Sequence, residues 1–111
     1  MNETFYIKQG DLWPPLEANL TQATGEYIPL QPTDVVKFIM TPKNDRNTII
    51  IDKQVTILDP TTAHVRYQWQ IDDTLEAGQY QGEFAILLNG DTPIRVPNNG
   101  YFYIVIDHKL G

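Results

Sequence analysis

The chain has no cysteine among its 111 residues. Disulfide cross-links and thiolate metal sites are therefore excluded, and stability must come from an apolar core and a hydrogen-bonded backbone. Histidine is nearly as scarce, with His64 and His108 far apart in the sequence. No run approaches the roughly 18 apolar residues of a membrane-spanning helix. Met1 to Ile7 has neither a basic leader nor a continuous apolar stretch, so a signal peptide is not expected and cytosolic synthesis is. Positive charge is thin: eight Lys and Arg stand against fourteen Asp and Glu, for a net charge of −6. The basic residues (Lys8, Lys37, Lys43, Arg46, Lys53, Arg66, Arg95 and Lys109) are scattered singly. Displacing counterions from phosphates needs a basic surface, so neither nucleic acid nor an anionic membrane is an expected partner.

What is present is a short-period apolar pattern. Apolar residues make up 41% of the chain and twelve of them are aromatic, too many for a disordered segment. A single domain over residues 1–111 is expected, long enough to bury roughly 65% of its unfolded surface. His64-Val65-Arg66-Tyr67-Gln68-Trp69-Gln70 alternates polar and apolar residues over seven positions, the signature of a half-buried strand. The alternation restarts after an acidic turn, with Tyr80, Phe84, Ile86 and Leu88 on one face.

The remaining strands follow from the same reading. Thr4 to Lys8 is an edge-like first strand, and Pro14-Pro15 leads into Leu16, Ala18 and Leu20. Val35 to Thr41 is β-branched and aromatic, and Lys43 to Asn47 closes it as a hairpin. One return strand is expected to carry Ile49, Ile51, Val55 and Ile57 inward. Asn89-Gly90-Asp91 and Pro97-Asn98-Asn99-Gly100 are turn signals flanking a short Pro93 to Val96 segment. Only Asp72 to Ala77 is a candidate helical turn, with Asp73 or Thr74 as its cap. Seven to nine short strands at this spacing predict an all-β, immunoglobulin-like antiparallel sandwich.

Catalytic chemistry has little to build on. Acid–base and nucleophilic mechanisms need paired groups or a metal, and His64 and His108 read as solvated. Asp72-Asp73-x-x-Glu76 is the best calcium candidate, yet it lacks the alternating oxygen ligands and central glycine of a calcium loop. It reads as a solvated acidic turn. Asn2-Glu3-Thr4 and Asn19-Leu20-Thr21 match the glycosylation sequon and are read as unmodified. No enzyme, metal or cofactor is expected.

Glu76-Ala77-Gly78-x-Tyr80 is similar to the tyrosine corner of immunoglobulin-like sandwiches, where a hydroxyl folds back onto upstream backbone. An ordinary core tyrosine after a turn fits the same residues. A wider resemblance follows when the segments are taken in order. They are Gln9-Gly10-Asp11, Pro14-Pro15-Leu16-Glu17-Ala18, Leu20-Thr21, Val36-Lys37-Phe38-x-Met40 and Val65-Arg66-Tyr67-x-Trp69 with Asp73-Thr74. Ala77-Gly78-x-Tyr80-x-x-Glu83-Phe84 and Pro97-Asn98-Asn99-Gly100-Tyr101 complete the series. From about Ile7 to Ile106 it resembles the N-terminal domain of siphovirus baseplate upper proteins, an immunoglobulin-like family of tailed-phage particles. The resemblance implies a module that attaches to other virion proteins in the tail region after synthesis in the host cytoplasm. Family members commonly continue into further parts, while this sequence stops about five residues after its last strand. A scaffold or receptor-binding role housed in those parts is not carried over.

The expected function is thus a small non-enzymatic structural or accessory protein, monomeric when isolated, that contacts other virion proteins. The candidate contact residues are Trp13, Tyr101 and Tyr103. Trp13 beside Pro14-Pro15 reads as an exposed anchor or as a lid on the sandwich end. The last strand, Tyr101 to Ile106, is apolar on both faces. Its outer face is either covered by the N-terminal segment or free as a docking surface. The alternative function is a carbohydrate-binding or host-surface adhesion module using Trp13, Tyr27 and Tyr6.

Overall fold

Alternation of apolar and polar residues becomes nine strands in a computed structural model, which describes residues 3–88, 90, 92–97 and 101–110. They are β1 (Thr4–Lys8), β2 (Leu16–Asn19), β3 (Val35–Pro42), β4 (Ile51–Gln54), β5 (Thr56–Asp59), β6 (His64–Tyr67), β7 (Gly78–Leu88), β8 (Thr92–Val96) and β9 (Phe102–Asp107). One short 3₁₀ turn covers Pro60–Thr62, capped by the Asp59 carboxylate. The Asn2 sequon, the Asn89 and Asp91 turn positions and Asn98 to Gly100 lie outside the described residues.

Two sheets pack face to face. The larger runs β1-β9-β7-β3-β4, with β8 also on β7; the smaller runs β2-β6-β5. In immunoglobulin sandwiches one sheet holds strands B, E and D and the other holds G, F, C and, in variable domains, C′. The order here reproduces that arrangement, so the sandwich is immunoglobulin-like. It is not wholly antiparallel, because β1 pairs parallel to β9, from Thr4↔Tyr103 to Lys8↔Asp107. The first strand therefore lies beside the last one, in its plane, and does not cover its outer face.

The expected return strand is in fact two. β4 pairs with β3 in the larger sheet and β5 with β6 in the smaller. The chain changes sheets at Val55, whose N–H still bonds to the Val36 carbonyl at 2.8 Å. Ile51 and Val55 point inward as expected, but Ile49 is 58% exposed because the loop before β4 folds over the outer face. β6 ends at Tyr67, short of the seven-residue alternation, yet Val65, Tyr67 and Trp69 are all buried. Residues 71–74 form a turn and no helix, and Asp72 is left-handed at φ 85°.

Phe38 on β3 ties the core together. Its ring centroid lies 5.0 Å from Tyr67 and 5.8 Å from Trp69, both on the smaller-sheet side. On its own sheet it lies 5.8 Å from Phe84 and 5.9 Å from Phe102. Such ring pairs contribute about 0.5–1.5 kcal/mol each beyond their buried area. Phe102 reaches Phe38 beneath Gly82, where an added Cβ would meet Phe102 Cζ and Phe38 Cε1 at 2.9 Å and Ile104 Cδ1 at 3.0 Å. Gly82 stands where antibody domains carry the second disulfide cysteine, so an aromatic seam occupies the space of that bridge. Trp69 Nε1 is buried without a partner among the described residues.

Candidate interaction surface

Two loops meet at one end of the sandwich. The segment from Gln9 to Pro15 joins β1 to β2, and Gln68 to Ala77 joins β6 to β7. Four bonds lash them together. The Gly10 N–H donates to the Thr74 carbonyl at 2.9 Å, and Thr74 Oγ1 donates to the Asp11 carbonyl at 3.0 Å. Gln68 Nε2 donates to the Leu12 carbonyl at 2.7 Å and Gln9 Nε2 to the Leu75 carbonyl at 2.8 Å. With their backbones held in this way, the loops expose Leu12 (38%), Trp13 (69%), Ile71 (78%) and Leu75 (57%).

A buried acid anchors the second loop. Asp73 accepts from the Tyr67 hydroxyl and from the Gln70 N–H at 2.8 Å, and Lys53 Nζ stands 3.5 Å away. This corrects the reading of Asp73 as part of a solvated turn: its side chain is 6% exposed. Burial, then the bond and charge of Asp73, push the Tyr67 hydroxyl far above the usual tyrosine range. At the loop's far side Tyr80 donates to the Glu76 carbonyl at 2.8 Å. That is the geometry of a tyrosine corner, reached through Gly78 at φ 154°. Burial, then the charge of Glu76, raise the Tyr80 hydroxyl as well.

The three residues singled out in the sequence do not come together. Trp13 sits in the loop following the Lys8 end of β1, beside Asp107 in register. Tyr101 precedes the opposite end of β9, six residues or about 20 Å away along the strand. It lines a groove of about 400 Å³ on the outer face of the larger sheet. Tyr103 lies between them on that outer face and is half-buried, with Lys43 Nζ 5.3 Å from its ring centroid. Nor do the aromatics named for a sugar share a site. Tyr6 is beside Val105 on the outer face of β1, while Tyr27 forms a bridge with Thr21, beyond the far end of β2 from Trp13.

Leu12, Ile71 and Leu75 escape a periodicity search because single apolar residues within polar turns carry no period. Their signal is the anomaly itself, a large aliphatic residue on each side of Asp72-Asp73-Thr74.

Elsewhere, His64 is partly exposed and has a partner on the neighbouring strand. Its Nε2 lies 2.8 Å from Glu17 Oε1, and Arg66 reaches Glu17 Oε2 at 2.8 Å, joining β2 to β6. Arg66 first and His64 second hold the Glu17 carboxyl below its ordinary range. A second groove of about 530 Å³ opens between β2 and the larger sheet, over Phe5, Phe84 and Phe102. No cluster of three His, Asp or Glu residues suited to a metal ion occurs among the described residues. No protein-family model matches the chain, and a search of curated proteins finds no match.

Proposed function

We propose that this chain is a small, non-enzymatic structural or accessory module of a tailed-phage particle, synthesised in the host cytoplasm and incorporated in the tail region. It holds a neighbouring virion protein through the end that carries Leu12, Trp13, Ile71 and Leu75. The observation that carries the reading is that these four side chains stay exposed on loops braced by a buried carboxylate and a tyrosine corner. A rigid apolar display loses little conformational entropy on docking, and tryptophan is enriched among residues that dominate interface energies. The ordered resemblance between Ile7 and Ile106 supplies the particle context.

The test is a quantitative immunoblot of washed phage particles with antibody raised to the recombinant chain. A fixed copy number per particle is expected, reduced at least tenfold in particles assembled with Trp13→Ala. Abundant protein in the lysate and none on the particle would refute the proposal. Undiminished incorporation of Trp13→Ala together with Ile71→Asp would remove the assigned surface.

A further inference from the structure

We infer that the outer-face groove beside Tyr101 binds a saccharide, one or two rings of an uncharged glycan. Its floor is made by register. Thr41 lies opposite Gln81, and Ile39 has Asp52 on one side and Glu83 on the other. One wall is the loop from Lys43 to Ile50, held by Asp45, which accepts from Thr48 Oγ1 at 2.6 Å and the Asn47 N–H at 3.2 Å. The Ile50 N–H completes that brace on the Met40 carbonyl at 2.8 Å. This folding-over sends Ile49 to the groove, away from the core position its alternation predicted. Arg95 and Tyr101 form the other wall.

The chemistry inside is balanced. The charged residues that line the groove, Arg46, Arg95, Asp52 and Glu83, sum to no net formal charge, and Lys37 Nζ stands 3.6 Å from Asp52 Oδ1 beside it, so no single sign dominates. Arg95 Nη1 is 2.8 Å from Glu83 Oε2, which fixes both planar groups. Gln81 is only 8% exposed and donates from Nε2 to Thr41 Oγ1 at 3.1 Å. That bond orients the amide and leaves its carbonyl oxygen without a donor among the described residues. Sugar hydroxyls both donate and accept, and vicinal pairs match the two-pronged carboxylate, amide and guanidinium groups gathered here. The C–H face of a pyranose is apolar and packs on an aromatic ring, which Tyr101 supplies beside Ile49. The volume of about 400 Å³ falls at the small end of ligand sites.

The site shares no residue with the Trp13 end, so its fate and that of the docking proposal are separate. The experiment is an amide-resolved NMR titration of the ¹⁵N-labelled chain with glucose, galactose and N-acetylglucosamine, and with inorganic phosphate as the anionic probe. At least one sugar should give saturable shifts centred on Arg46, Asn47, Gln81, Glu83 and Tyr101, with a Kd of order 1 mM. Tyr101→Ala should weaken it at least tenfold. Arg46→Ala, at an exposed position, should weaken it at least threefold. No saturable shift from any of the three sugars would overturn the inference. So would shifts mapping outside the groove, or phosphate alone reproducing them.

Discussion

Gly82→Ala tests the aromatic seam most directly. A Cβ at that position would stand 2.9 Å from two phenylalanine rings and 3.0 Å from Ile104 Cδ1. Carbon atoms reach their optimal contact at about 3.5–4.0 Å, so all three neighbours must withdraw by about half an ångström or more together. Phe38 and Ile104 are fully buried, so neither can swing out into solvent. Overpacking of this kind costs about 1–3 kcal/mol. Part is offset because alanine restricts the unfolded chain, worth about 0.4–1 kcal/mol where glycine has no positive φ to keep. The expected net loss is about 1–2 kcal/mol, a fall in Tm of about 4–8 °C for a chain of this size. Urea unfolding with Cm and m measured together would register it, with m unchanged. Phe102→Leu removes one of the two atoms nearest the new methyl, so the double variant should recover at least about 0.5 kcal/mol in a mutant cycle. A Gly82→Ala protein as stable as the parent would refute the account of the seam, as would strict additivity in the cycle.

Tyr80→Phe removes the bond to the Glu76 carbonyl and should cost about 0.5–1.5 kcal/mol, read by the same urea titration; no loss would reduce the corner to packing. Tyr67→Phe takes one of the donors from the buried Asp73 carboxylate and should cost about 1–3 kcal/mol. The two tyrosines also set an alkaline limit. Both hydroxyls are raised by burial first and a nearby carboxylate second, so the folded chain keeps protons that the unfolded chain releases near pH 10. Their stabilisation is complete below pH 10 and is lost above it, by up to about 1.4 kcal/mol per pH unit for each tyrosine. Denaturant midpoints from pH 9 to 11.5 should show the fall, shallower in Tyr67→Phe, and an equal slope in that variant would contradict the assignment.

How far the sequence carried depended on whether a feature was periodic. Alternation from His64 to Gln70 correctly placed Val65, Tyr67 and Trp69 in the core even though the ladder stops at Tyr67. Side-chain direction has a period of two, while ladder length depends on a partner strand. The same property hid the sheet change at Val55. Residues facing one shared core alternate identically from either sheet, so Ile51 and Ile57 read as one strand. Asp73 departs from the solvated-turn reading because the acidic turn closes over Tyr67 and Gln70, an outcome of loop geometry with no pattern to announce it. The Tyr101 groove was invisible for a further reason. Thr41 and Gln81 meet only through the register of β3 on β7, which no local window contains.

The two proposed surfaces follow from how the immunoglobulin-like frame spends its residues. Phe38, Tyr67, Trp69, Phe84 and Phe102 concentrate the ring contacts along one seam through the sheets. That leaves Leu12, Trp13, Ile71 and Leu75 at the loop end, and the outer face of β7, free of core duties. At the end, buried polar groups hold the loop backbone and apolar groups face outward, the reverse of the ordinary division. On the outer face, Gln81 is sunk among polar neighbours in the middle of a sheet whose other face is apolar. A buried amide costs free energy unless its groups are bonded, and among the described residues only its donor side is bonded. Each surface thus departs from the local rule that the rest of the sandwich obeys, and it is at such departures that function concentrates in an otherwise consistent fold. The departures lie on different elements and share no side chain. Substitutions at one should therefore add to those at the other without coupling, which lets the particle assay and the sugar titration be read independently.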